Sequence, residues 1–162
     1  MPSSRRGVVI DRNKRWNALR DGLRRLRRGY VKVGLLDSGE ARQDGKLGNV
    51  EIGAIHEFGA PSRGIPRRPF LSGAAEAYRN EIATLKAKLA GRFLDGKLSV
   101  LQVLGLLGTA HTAQVKRKLT QGPWEALKAA TIAARKRRSV GSERPLVDTG
   151  QLRNAINYEV VE

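Results

Sequence analysis

From Asn13 to Arg28 the apolar residues Trp16, Leu19, Leu23 and Leu26 recur three, four and three residues apart, which predicts a helix with one apolar stripe among arginines. Gly22 weakens that helix without forbidding it, and Gly29 is expected to end it. Tyr30 to Leu36 follows with β-branched and aromatic residues suited to a strand. Asn49 is placed to cap a short helix with apolar positions Ile52, Ile55 and Phe58, closed by Gly59. Tyr78, Ile82, Leu85, Leu89 and Phe93 predict a long amphipathic helix of about six turns, stopped near Asp95-Gly96. Ser99 then offers a cap for a helix with Val100, Leu104, Leu107, Val115 and Leu119 on one side. Gln121-Gly122-Pro123 breaks the chain, and Trp124 to Arg138 predicts a third, more basic helix. Its alanines give little to bury, so its order is expected to depend on a partner.

The remaining segments are read by what they lack. Residues 1–7 form a basic leader, and Val8-Val9-Ile10 suits a short strand. Residues 37–48 have no periodicity and are expected to be a flexible surface loop, and residues 139–142 a second loop. Near the C-terminus a short helix over Gly150 to Asn154 passes into Ile156-Asn157-Tyr158-Glu159-Val160-Val161, whose alternation predicts a half-buried strand. The fold class that follows is α+β: a small antiparallel sheet of strands near 30–36 and 155–161, with 8–10 as a third candidate, packed against several amphipathic helices. Residues 1–28 form a basic N-terminal leader and helix, and residues 29–162 a single α+β domain.

Two stretches are more specific because their backbones are constrained. The first is His56-Glu57-Phe58-Gly59 running into Ile65-Pro66-Arg67-Arg68-Pro69-Phe70. Gly59 and Pro61 close a helix, and Pro66 and Pro69 hold the chain extended around two arginines, a stiff basic arm that delivers Phe70 to a helix start. The second is Pro145-Leu146-Val147-Asp148-Thr149-Gly150-Gln151-Leu152-Arg153, where either Asp148 or Thr149 caps the short helix. Together and in this order the stretches resemble the bacteriophage virion-morphogenesis proteins of the neck and tail-completion type, over roughly residues 30 to 160. The resemblance implies an α+β subunit that assembles as a ring at the head-to-tail junction, finishes the tail and joins it to the connector. It implies neither enzyme activity nor cofactor. Its expected partners are copies of itself and adjacent neck, connector or tail proteins, and its expected location is the virion, after assembly in the bacterial cytoplasm. Phe58, Pro66, Arg67, Arg68, Pro69, Phe70, Thr149 and Leu152 are the expected subunit contacts. Arg67 and Arg68, pinned between prolines, suit a preorganised contact.

Charge adds an independent constraint. The net charge is +16 over 162 residues, and it is concentrated. Residues 1–28 hold ten Lys/Arg against Asp11 and Asp21, a net of +8; residues 116–138 hold eight against Glu125, a net of +7. Arg24, Arg25, Arg27 and Arg28 in the first cluster, and Lys116, Arg117, Lys118, Arg135, Lys136, Arg137 and Arg138 in the second, are expected to meet a polyanion, either duplex DNA or an acidic protein rim. The alternative function is therefore a small basic protein that binds nucleic acid without sequence specificity. Aromatic residues make up 5%, which argues against single-strand binding by base stacking.

Other chemistries find little support. The chain has no cysteine, which removes disulfides, thiolate metal sites and cysteine nucleophiles. The apolar run Leu98 to Leu107 is interrupted by Ser99, Gln102 and Gly105 and falls short of the ~20 residues that span a bilayer, so a soluble protein is expected. His56-Glu57 lacks the second histidine of a zinc-protease helix, since Ala60 stands there, and His111 reads as a core-edge residue. Asp148-Thr149-Gly150 matches the aspartic-protease tripeptide, but a helix cap is the simpler role. No metal site and no phosphate-binding loop is expected.

Overall fold

The computed structural model describes residues 13–36, 47–138 and 143–161. The leader, the strand at 8–10, most of the loop at 37–48 and the loop at 139–142 lie outside the described residues. The chain is α+β. In order it runs α1 (Lys14–Arg28), β1 (Tyr30–Leu35), α2 (Asn49–Phe58), a single 3-10 turn (Pro61–Arg63), α3 (Ser72–Ala77), α4 (Arg79–Leu94), α5 (Val100–Gln121), α6 (Ala129–Arg137), α7 (Gln151–Asn154) and β2 (Ile156–Val161).

α5 is the spine. Its 22 residues make a rod of about 33 Å, and it starts on a reciprocal cap: Ser99 Oγ accepts from the Gln102 amide (3.2 Å) while Gln102 Oε1 accepts from the Ser99 amide (2.8 Å). β1 and β2 pair antiparallel, with Tyr30 opposite Val161 and Leu35 opposite Ile156. The side-chain period of two puts Val31, Val33 and Leu35 with Val160, Tyr158 and Ile156 on the face packed against α5. The other face carries Lys32 and Glu159, paired at 3.4 Å.

The buried apolar residues form two clusters along this spine. One gathers Phe70, Ala74, Val115, Leu119, Leu146, Leu152 and Ile156; the other Leu89, Phe93, Val100, Val103 and Leu104. Between them Gly108 leaves a notch in α5 filled by the Tyr158 ring, so close that a Cβ there would overlap it. Thr109 Oγ1 donates to the Tyr158 hydroxyl oxygen at 3.4 Å.

Three elements differ from the expectation. The long helix is bent at Tyr78 (φ −107°, ψ 16°), which lets Ala74 of α3 reach one cluster and Leu89 and Phe93 of α4 the other. Arg117 stacks over the Tyr78 ring at 4.1 Å and donates to its hydroxyl oxygen at 2.8 Å. The basic helix begins at Ala129 rather than Trp124. The Trp124 indole folds back to donate to the Leu119 carbonyl (2.9 Å), occupying an acceptor that the end of α5 leaves open, and Arg68 takes the Glu125 carbonyl. In α1, Leu19 and Leu26 pack on the second cluster around the buried Gly22, whereas Trp16 (59% exposed) and Leu23 (45%) remain at the surface.

The notch gives a paired prediction on helix glycines. Gly91→Ala in α4, where nothing lies within 4 Å of the added Cβ, is expected to raise stability by about 0.5–1 kcal/mol. Gly108→Ala has the same propensity gain but must displace Tyr158 from between helix and sheet, and is expected to lower stability by about 1–3 kcal/mol. Urea unfolding midpoints of the two variants measure both; equal shifts would mean the notch carries no constraint.

Candidate functional site

The proline arm is built as the end of α2. Gly59 leaves the helix at φ +78°, a left-handed turn that suits glycine, and a Cβ there would stand 3.1 Å from the Arg67 amide nitrogen. The 3-10 turn then reverses the chain, closed by paired bonds between Ala60 and Ile65 (2.9 and 3.1 Å). The returning strand satisfies carbonyls that α2 cannot: the Arg68 amide donates to His56 O at 2.7 Å and Arg67 Nε to Glu57 O at 3.1 Å.

Glu57 turns inward and is buried. Its Oε2 accepts from the Leu71 amide (2.9 Å), and its Oε1 from the Ser72 amide (3.0 Å) and Ser72 Oγ (2.5 Å). A carboxylate from one helix thus caps the start of another, where the exposed amides and the helix dipole favour negative charge. Phe70 reaches the helix start as the arm's stiffness predicts, with no exposed surface.

The second stretch is clamped by α6. Arg135 Nη1 donates to the carbonyls of Arg144 and Val147 at 3.0 Å each, and its Nε lies 3.6 Å from Asp148 Oδ1. Arg138 Nη2 donates to Asp148 Oδ2 at 3.2 Å. Asp148 is therefore an ion-pair partner instead of a cap; Thr149 Oγ1 accepts weakly from the Gln151 amide at 3.4 Å, and Gly150 (φ +82°) holds the N-cap position of α7. Leu146, buried at φ +63°, marks backbone strain in this segment, because a branched side chain crowds the left-handed region.

The two stretches meet. Ile52 and His56 of α2, Arg135, Leu146, and Asp148 through Leu152 share a small cavity of about 120 Å³. Burial first, then the nearby guanidinium groups of Arg68 and Arg135, push the His56 imidazole down to about 4. His56 is thus neutral at physiological pH. Around it, His56 Nδ1, Arg68 Nε and Asp148 Oδ1 are buried without a hydrogen-bond partner among the described residues.

These positions correct several expected roles. Phe70, Arg68 and Leu152 are 0%, 4% and 6% exposed, so they hold the fold and are not free to touch a neighbouring subunit. Arg68 spends Nη2 on the Glu125 carbonyl at 3.1 Å. Pro66 and Pro69 are half-buried, whereas Phe58 (74%), Arg67 and Thr149 face solvent. The first arginine cluster stays outward: Arg24, Arg25, Arg27 and Arg28 line an open depression of about 780 Å³. The second divides. Arg135 is an internal clamp, Arg117 is bound to Tyr78 and Glu81 (3.2 Å), and Arg138 holds Asp148. Lys136 pairs with Glu143 at 2.8 Å, Lys118 lies 5.7 Å from the centre of the Trp124 ring, and Arg137 is exposed. Sequence reasoning missed Glu57 as a cap and Arg135 as a clamp. The signal for Glu57 was an acid inside the helix-ending motif with a Leu-Ser helix start following the arm. Nothing local distinguished Arg135 from its basic neighbours.

No family model matches this chain, and no curated protein or solved structure matches it significantly.

Glu57→Gln, which leaves one carbonyl oxygen to serve three donors, is expected to cost about 1–3 kcal/mol in urea unfolding, against less than about 0.5 for Phe58→Ala next to it. A second prediction concerns pH. The native His56 value lies below its ordinary 6.5, so the unfolded chain takes up the proton first; the stability contributed by neutral His56 is complete above pH 6.5 and is lost as pH falls toward 4. His111, lowered by burial and then by Lys86, acts in the same direction. His56→Gln is expected to flatten the fall in unfolding midpoint across this window, leaving the part due to His111.

Proposed function

We propose that this chain is a non-enzymatic structural protein of the bacteriophage neck, of the tail-completion type, which assembles as a ring at the head-to-tail junction and joins the finished tail to the connector. The observation that carries the reading is the junction of the two stretches on which the resemblance rests: Glu57 of α2 seats the helix after the proline arm, and the 146–152 segment closes on α2 itself at His56. Their polar groups are largely committed to backbone, as a scaffold that must hold shape under load requires. Phe58 and Arg67 stand outward beside the junction, available to a neighbour. The site of action in this reading is the virion neck or tail end, after assembly in the bacterial cytoplasm. Among the described residues no helix is long and apolar enough to cross a membrane.

A second reading, non-sequence-specific nucleic-acid binding, is favoured by one feature. Four exposed arginines converge on one open depression at the end of α1, and Arg24 is bonded to Asp21 at 3.3 Å. In the neck reading the same face meets DNA passing through the ring or an acidic rim of an adjoining protein.

Two measurements decide. Purified protein added to tails and filled heads assembled without it is expected to yield joined particles with the chain located at the joint by electron microscopy; a chain that stays monomeric and binds neither tail nor connector defeats the neck reading. In a salt titration against duplex DNA, contacts at Arg24, Arg25, Arg27 and Arg28 are expected to give a log–log slope of about −3 to −4, removed by changing the four to Ser. Salt-independent or absent DNA binding defeats the second reading.

A further inference from the structure

α2 is apolar on two sides. Ile52, Gly53, His56 and Glu57 face the core, while Leu47 just before the helix, Val50, Ala54 and Phe58 form an outward stripe at spacings of three, four and four. Leu47, Val50 and Phe58 are 39%, 46% and 74% exposed. The stripe itself carries no Lys or Arg; among the described residues Glu51 flanks its start and Arg67 stands beside its end at Phe58. That is unusual ground in this molecule. At +16 per chain, copies repel one another, and contact between two basic faces would bury like charges; self-association needs at least one face poor in cations. The outward stripe of α2 is such a face.

A complementary face lies on α1. Trp16, Arg20, Leu23 and Arg27 recur at spacings of four, three and four on its exposed side, an apolar strip edged with guanidinium groups. The two faces sit at different ends of the spine. Gly29, at the end of α1, lies against Leu104, whereas Gly53 of α2 lies against Leu35 and Phe70, in the cluster of Val115 and Leu119. Along α5 those anchors are about 16–22 Å apart.

We propose that the outward face of α2 docks on the outward face of α1 of a second copy, Phe58 and Val50 against Trp16 and Leu23, with Glu51 opposite Arg20. The occupant is another copy because the apolar stripe, with Glu51 at its start, matches the apolar strip with its arginines. The contact is head-to-tail, since it joins two different faces, and repeated it closes into a ring when the rotation permits. This assignment rests on the ring reading above and supplies its subunit contact.

The test is sedimentation of the full chain and two double variants, Val50→Asp/Phe58→Asp and Trp16→Asp/Leu23→Asp, at low and high salt. Wild type is expected to assemble more tightly as salt rises, because screening weakens the repulsion between copies. Each variant alone is expected to lose at least about tenfold in association, with an unchanged urea midpoint. An equal mixture of the two is expected to form dimers that grow no further, since only one sound pair of faces exists. If the α1 variant pairs alone, α2 docks on α2 and the head-to-tail assignment is overturned. Rings of the α2 variant as tight as wild type would overturn the assignment while leaving the ring reading intact. A wild-type chain monomeric at every salt removes both. Should an Asp variant fold poorly, Val50→Ser/Phe58→Ser gives the same comparison.

Discussion

Glu57 joins three parts of the chain through one carboxylate. Its helix ends there, the arm that follows returns to cover that end through Arg67 and Arg68, and its two oxygens accept the first amides of the next helix. Each of these groups would otherwise be an unpaired backbone donor or acceptor in a protein interior, at a cost of about 1–3 kcal/mol apiece. Because the bonds are mutual, the angle between α2 and α3 is fixed, and with it the delivery of Phe70 into the core. The long helical pair and the sheet then meet a preset surface.

The basic residues divide into internal and external sets on physical grounds that charge counting does not register. Arg68 and Arg135 reach carbonyls that no helix or strand satisfies, a use suited to a planar guanidinium with five donors. Both then act on His56, which stays neutral first because it is buried and then because these two cations oppose a third charge beside them. Arg24, Arg25, Arg27 and Arg28 instead remain at the surface, lining an open depression.

Patterns that depend on neighbours along the chain were legible: β1 from its β-branched and aromatic residues, β2 from its alternation, α5 from Ser99, the ends of α2 and α4 from Gly59 and Asp95-Gly96. What could not be read were choices settled by distant partners. Trp124 to Lys128 has helical propensity, yet the carbonyls of Leu119 and Glu125 find donors only if that segment is extended. Leu19 and Leu26 were chosen over Trp16 and Leu23 because Gly22 lets α1 approach Phe93, and the spacing alone treats all four leucine and tryptophan positions alike. Asp148 reads locally as a cap and is taken instead by Arg135 of α6 and Arg138 at its C-cap. Phe70 and Leu152 belong to the motifs that carry the resemblance, and their burial shows that much of a motif's content is fold, leaving fewer of its residues for partners.

The outward position of Phe58 follows from the same carboxylate. Successive residues of a helix point about 100° apart, so burying Glu57 over the start of α3 turns the next side chain toward solvent. Gly59 then leaves the helix at once, and no later turn of α2 remains to cover it. An exposed phenylalanine is ordinarily a liability that one substitution removes. Here it stands in register with Val50 and Ala54, on a helix whose inward face is already complete. The geometry that makes the junction rigid thus also presents a preordered apolar stripe, and a surface that loses no conformational freedom on docking gains affinity without added area.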